Sequence, residues 1–304
     1  AGAKYEKGGS KHKGGMQSPA LCFELSNVDY DKSIAYLEQN PEEYGVPDTF
    51  EGMRQNISFL KDNVCFNVMG FYSLVKKAKA QNILTALDNT WGAGLAFNAF
   101  DFGDEHLSVD MTVHALTKYP SGGADILMGS VVTRDQKLHH KLFRMHAIQG
   151  ISISGDDVAQ VQRSLASMQL RYEHQAHSAL TLLDWLKQQT EFAQVLHPAD
   201  PDSAGHEYWK DICKQGHSAG LVSVIFKPEY DLKAVRKFCD HLNLFKLGFS
   251  WGGPISLVML YELNHMRSLK NTHLQQGLLV RFCIGLEDAD DLVQDIQNAL
   301  KQLE

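Results

Sequence analysis

The chain is 304 residues long, 44% hydrophobic and 21% charged, with a formal net charge of −7. Its length allows about two buried cores, while the acidic balance and scattered basic residues provide no cationic field for a nucleic-acid backbone. Apolar runs such as Leu221–Phe226 and Ile255–Tyr261 read as buried strands. They fall far short of the roughly 20 residues of a membrane helix, so no membrane partner is expected. The cysteines, Cys22, Cys65, Cys213, Cys239 and Cys283, show no CxxC spacing. This points away from a disulfide framework or zinc ribbon and toward a reducing cytoplasm.

Residues 1–16, where Gly8, Gly9, Gly14 and Gly15 alternate with lysines, read as a flexible arm. No apolar core follows that could make a secretory signal. Ile34, Ala35 and Leu37 predict a short helix within Asp31–Glu43, limited by Pro41; Glu51–Met69 has no decisive period. From Ser73 to Gln81, Leu74, Val75 and Ala78 keep helical spacing and lead into the apolar run Ile83–Leu87 and the polar Asp88-Asn89-Thr90. Leu107–Leu116, ending at Thr117-Lys118, and Ile126–Thr133 are further strand candidates. Strands alternating with helices indicate an α/β sheet, whose chemistry collects at the carboxyl ends of the strands, where Asp88 and Lys118 fall. Asp156–Gln189 predicts one long helix bridging two domains, with Asp156 or Asp157 near its cap. After it, strands at Leu221–Phe226, Phe245–Phe249 and Leu278–Ile284 and helices at Leu232–Leu242 and Ala289–Leu303 suggest a smaller α+β unit.

A lysine at a strand end, held back from bulk water, can lose its proton and form an imine. A carboxylate at a neighbouring strand end can hold a pyridinium proton. Thr117 and the glycines after Lys118 offer hydroxyl and backbone donors suited to a phosphate. Other candidates are weaker. His174 and His177 lie one helical turn apart without a third ligand, so no metal site is expected; His139-His140 reads as a solvated helix face. Neither a Gly-x-x-x-x-Gly-Lys loop nor a dinucleotide fingerprint is present.

Asp88-Asn-Thr-Trp91 followed by Thr117-Lys-Tyr119 and a glycine-rich turn to Asp125 resembles the pyridoxal-phosphate (PLP) signature of the cysteine and methionine metabolism, or transsulfuration, family. His197-Pro-Ala199, Gly205-His-Glu-Tyr-Trp-Lys210, Ser250-Trp-Gly-Gly253 and Arg281-Phe-Cys-Ile-Gly-Leu-Glu-Asp288 continue the resemblance in the family's order. It implies an α/β large domain of the PLP-dependent transferase (aspartate aminotransferase) type and a smaller α+β C-terminal domain. The expected division is an atypical segment at 1–72, a partial PLP-binding domain at 73–165 and the C-terminal domain at 166–304. By resemblance, Lys118 holds PLP as a Schiff base and acts as the catalytic base, Asp88 pairs with the ring nitrogen and Thr117 contacts the phosphate. Arg281 grips the substrate α-carboxylate, Trp251 lines that pocket, and Ser250 orients the arginine or the lysine.

Ser-Trp-Gly-Gly, where γ-acting members tend to carry Ser-Leu-Gly-Gly, favours the cystathionine β-lyases within the family. The resemblance therefore implies β-elimination of cystathionine or a related thioether amino acid to a thiol, pyruvate and ammonia, a step of methionine biosynthesis, by a cytoplasmic homotetramer. The alternatives are a γ-lyase or γ-synthase, or a non-catalytic, cofactor-poor relative. The chain departs from the family before residue 73, where no Tyr-Gly-Arg segment, Ser-Gly loop or ring-stacking tyrosine is recognisable; Glu43-Tyr-Gly-Val46 has valine in place of the arginine. About five extra residues also lie around Asp104–Ser108, and Gly122-Gly-Ala-Asp125 stands for the usual Gly-His-Ser-Asp.

Overall fold

Strand β1 (Ala86–Asp88) runs parallel to β2 (Met111–Ala115), and β2 pairs antiparallel with β3 (Gly129–Thr133), giving a small sheet. The structure, a computed structural model, describes residues 75–76, 78–80, 82–102, 107–263 and 273–303. The expected arm at 1–16, the helix at Asp31–Glu43, the stretch Glu51–Met69, Leu74, Gln81, Asp104, Cys22 and Cys65 lie outside these residues. The register places Asp88 beside Val113, so both strands deliver their next residues to the same end of the sheet.

Helix α1 (Gln136–Ile148), capped by the Asp135 carboxylate on Leu138 N–H, buries none of its residues. Helix α2 (Gly155–Leu186) then runs without interruption through residue 165. Its cap is Ser154, whose hydroxyl accepts from Asp156 N–H; Asp156 and Asp157 occupy the first turn, where negative charge suits the helix dipole, and are not themselves the cap. Tyr172, Gln175, Ala179, Leu182 and Leu186 recur at intervals of three and four and are buried, a single stripe facing inward.

The second sheet has the order β4-β5-β8-β7-β6. Its strands are β4 (Phe192–Leu196), β5 (Leu221–Phe226), β6 (Lys246–Leu247), β7 (Leu257–Glu262) and β8 (Leu278–Cys283). All pairings are antiparallel except β6 with β7. Of the strand expected at Phe245–Phe249 only Lys246 and Leu247 pair. Helices α3 (His206–Ile212), α4 (Leu232–Asp240) and α5 (Ala289–Leu300) complete the order. Side chains alternate across a strand, and β8 uses this fully: Val280 and Phe282 join Leu182, Leu186, Phe238 and Ile296 in the main core, while Leu279, Arg281 and Cys283 face the other side.

His197, just after β4, is 2% exposed. Its Nδ1 accepts from Ala199 N–H at 3.2 Å, and Nε2 has no hydrogen-bond partner among the described residues. Burial pushes its pKa down to about 4 from an ordinary 6.5, with Asp200 pulling the other way. The unfolded chain therefore takes up this proton first, so the stability from neutral His197 is full above about pH 6.5 and is lost as pH falls toward about 4. Urea unfolding at pH 7 and pH 4.5 should show wild type losing about 2 kcal/mol more than His197→Asn, which keeps an acceptor for Ala199 and carries no titratable ring.

Candidate active site

Lys118 stands three residues beyond β2 in a turn held by its own backbone. Lys118 N–H donates to Ala115 O at 3.1 Å, Ser121 N–H to Leu116 O at 2.8 Å, and the Ser121 hydroxyl to Thr117 O at 2.7 Å. From this turn the Lys118 amine reaches across to the loop after β6 and donates to Ser250 Oγ at 2.9 Å. The same amine lies 5.3 Å from the centroid of the Trp251 ring, where an ammonium is attracted to the indole face. Of the two partners expected for Ser250, the lysine is the one its hydroxyl meets. Arg281 instead donates from Nη2 to the carbonyl of the preceding residue, Phe249, at 2.7 Å.

Arg281 is 1% exposed, with its guanidinium 5.5 Å from the Tyr261 ring. A charge so placed is costly unless hydrogen-bonded; the strand alternation of β8 sets it on the side away from the main core. Asp88 lies at the end of β1 and is exposed. Its Oδ1 accepts from both N–H and hydroxyl of Thr90, and the Thr90 hydroxyl in turn accepts from Ala115 N–H at 2.8 Å. The carboxylate is thereby braced to the last residue of β2. Oδ2 has no hydrogen bond to the described residues. Burial holds the neighbouring His114 ring below its ordinary pKa against the opposing pull of Asp88, leaving a neutral imidazole beside the carboxylate. The Thr117 hydroxyl exchanges hydrogen bonds with the Met128 backbone, accepting from its N–H at 3.1 Å and donating to its carbonyl at 3.3 Å.

The Lys118 and Ser250 loops are in direct contact. Gly252 has φ +74, and a Cβ there would stand 3.2 Å from both Lys118 Cβ and Tyr119 N. A Cβ on Gly253 would meet Ala124 Cβ at 2.7 Å. Beneath them Tyr119, 1% exposed, stacks edgewise on Tyr172 and Trp251 and accepts from Gly220 N–H at 3.0 Å. Burial raises its phenol well above the ordinary range. Cys283 lies in the same cluster, its thiol pushed up to about 11 by burial, so it is no ready nucleophile. Thr90, Tyr119 and the helix α2 residues that hold these loops were not picked out as site residues from the sequence, although Thr90 and Tyr119 sit inside its two most informative motifs. Among the described residues no three His, Cys, Asp or Glu gather as a metal site. No helix of the described residues is long and apolar enough to cross a membrane.

Residues 61–301 match the family described as Cys/Met metabolism PLP-dependent enzyme. The chain belongs to this family. The match begins upstream of residue 73, from which the motifs are legible. A cystathionine beta-lyase of Bordetella avium is 32% identical over 238 residues, 78% of this chain and 58% of the relative. An L-alanine/L-glutamate racemase of Wolbachia pipientis wMel is 31% identical over 242 residues, 79% of this chain and 58% of the relative. The solved structure of a cystathionine gamma synthase from Xanthomonas oryzae pv. oryzae, in complex with aminoacrylate and cysteine, is 27% identical with a TM-score of 0.66, covering 76% of this chain and 59% of that one. The chain thus spans a little under three-fifths of the length of the relatives it matches.

PLP is the family's cofactor, and the chemistry of the donor set fits it at two points. Lys118 presents an amine backed by a hydroxyl and an indole face, suited to its aldehyde. Asp88 presents a braced carboxylate with an oxygen to spare at the adjoining strand end, suited to its ring nitrogen. The contact between the loops is itself testable with two alanine substitutions. Gly216 also has positive φ, +79, but open space where its Cβ would go. Gly216→Ala should cost about 1 kcal/mol for backbone strain alone. Gly252→Ala should cost at least about 1 kcal/mol more, from the added overpacking, as measured by urea unfolding.

Proposed function

We propose that the chain carries the active site of a PLP-dependent carbon–sulfur lyase that eliminates the β-substituent of cystathionine or a related thioether amino acid, giving a thiol, pyruvate and ammonia. The observation that supports it most directly is the Lys118 amine, held by Ser250 and Trp251 at the carboxyl end of β2, next to the strand that ends in Asp88. Bound PLP supplies an electron sink for the negative charge that develops at the substrate α-carbon. The chain's own residues do the rest. Arg281 takes the α-carboxylate as a planar fork. Lys118 removes the α-proton and later returns a proton, with Ser250 Oγ fixing the position of its nitrogen. Asp88 keeps the ring nitrogen protonated, and its brace through Thr90 keeps that carboxylate in register with β2. Trp251 excludes water from one side of the amine. The β-lyase relatives and the tryptophan after Ser250 favour β- over γ-elimination.

Borohydride reduction of the PLP-treated protein followed by peptide mapping should label Lys118, and cystathionine should release pyruvate. Label on another lysine, or 2-oxobutyrate as the main product, would overturn the assignment or the β-specificity respectively. Alanine racemisation without elimination would point to the racemase-like outcome. Lys118→Ala should take no label and lose at least about 10²-fold in turnover, the usual worth of a general base. Asp88→Asn should fold normally and lose a comparable factor, about 10²-fold. Arg281→Lys should act chiefly on KM.

We also infer that the working form is a cytoplasmic homo-oligomer, a tetramer by analogy with the family. Supporting it, Leu127 just before β3, Val132 in β3, Phe143 and Ile148 in α1 and Leu170 in α2 are large apolar side chains each at least half exposed, which a partner chain would cover. Sedimentation velocity should give a mass of several chains. A monomer at micromolar concentration would refute this.

A further inference from the structure

We propose that Arg171 and Gln175, one turn apart on α2, are positioning residues that set the contact between Lys118 and Ser250; this rests on the reading of Lys118 as the PLP-binding lysine. The lysine and its hydroxyl partner are 132 residues apart in sequence and belong to loops of different sheets. Each loop is tied to the same helix through a backbone carbonyl. Arg171 Nη1 donates to Tyr119 O, the residue after Lys118, at 2.8 Å. Gln175 Nε2 donates to Gly253 O, two residues after Trp251, at 2.6 Å in a buried setting.

Both donors are oriented before they reach the loops. Arg171 Nη2 donates to Ser164 O and Oγ, each at 3.0 Å, and Nε to Ser167 Oγ at 3.2 Å, so three bonds to its own helix leave Nη1 pointing at Tyr119. Residues four apart share one face of a helix, which puts Gln175 beside Arg171 with Tyr172 between them, its ring 4.8 Å from Tyr119. The fit leaves no slack. A Cβ on Gly122 would meet Ser164 Oγ at 2.3 Å, and one on Gly220 would meet Gln175 Cβ at 2.9 Å. On its far side the Ser250 loop is held by Arg281 on Phe249 O, so Gln175 and Arg281 grip the segment 249–253 from its two ends. Removing either α2 donor frees one loop to move against the other. A displacement of about 1 Å between reacting groups is enough to cost about 10²-fold.

The test uses the full chain and four variants. Arg171→Met and Gln175→Met remove the donors at nearly constant volume, Arg171→Lys retains a donor, and Leu182→Ala weakens the buried stripe of α2 away from the loops. Each is titrated with PLP, followed by visible absorbance and visible circular dichroism of the bound chromophore, below its thermal midpoint. The two methionine variants should bind PLP about tenfold more weakly and show an altered visible dichroic band. Arg171→Lys should recover part of both effects, while Leu182→Ala should lower the midpoint and leave both unchanged. If the methionine variants behave as Leu182→Ala does, the positioning role is wrong; should Arg171→Met fail to fold, Gln175→Met alone decides. A wild-type chain that takes no borohydride label at Lys118 would overturn the parent reading, a result distinct from a labelled wild type with unaltered variants.

Discussion

The hydrogen bond from the Lys118 amine to Ser250 joins two loops that nothing local in the sequence brings together. The turn after β2 must hold Lys118, and the loop after β6 must present its hydroxyl within reach of it. Gly252 must also leave the gap between them unfilled. The two sheets and the long helix between them serve that single approach. Each loop is stiff for its own reasons, the first through turn hydrogen bonds and the Asp88–Thr90–Ala115 brace, the second through Glu287. Both carboxylate oxygens of Glu287 accept from Ser256, whose hydroxyl accepts from Gly285 N–H. The Gly-Leu-Glu-Asp run after β8 therefore acts as a strut under the Ser250 loop.

Strand alternation solves a second problem. The proposed carboxylate fork is Arg281, and β8, which carries it, lies in the middle of its sheet, between β5 and β7. Because Val280 and Phe282 point one way, Arg281 points the other, out of the main core and toward Tyr261 and the Phe249 carbonyl. A register slip of one residue would put the charge among Phe238, Phe245 and Leu186. The hydrophobic pattern of β8 thus guards the placement of its one charged residue as well as the stability of the sheet.

Much of this was legible from sequence where chemistry and pattern coincide. The apolar run Ile83–Leu87 before Asp88 and the candidate Leu107–Leu116 before Thr117-Lys118 both end in an abrupt change from apolar to polar residues, and strands occupy part of each, Ala86–Asp88 and Met111–Ala115. The long helix was equally plain in its period of three and four, although its cap lies at Ser154, just before the acidic pair. Two elements had no such signal. Phe-Ala-Gln-Val-Leu of β4 is short and mixed, and α3 is a brief helix begun at Gly205, in left-handed conformation and without a side-chain cap. The contacts of Arg171, Gln175 and Thr90 were out of reach for a different reason. In the bonds to Tyr119, Gly253 and Ala115 a side chain meets a backbone group remote in sequence, and no spacing rule encodes such a meeting. The family resemblance singled out Lys118, Asp88 and Arg281, and only the coordinates located the side chains that contact their loops.

A site whose amine and hydroxyl are 132 residues apart is also late to exist. Local helices and hairpins form quickly, while contacts between distant parts of a chain wait for loop closure and docking. On the proposed reading of Lys118, a chain in which these two loops have not met lacks the hydroxyl and the indole face that hold its amine.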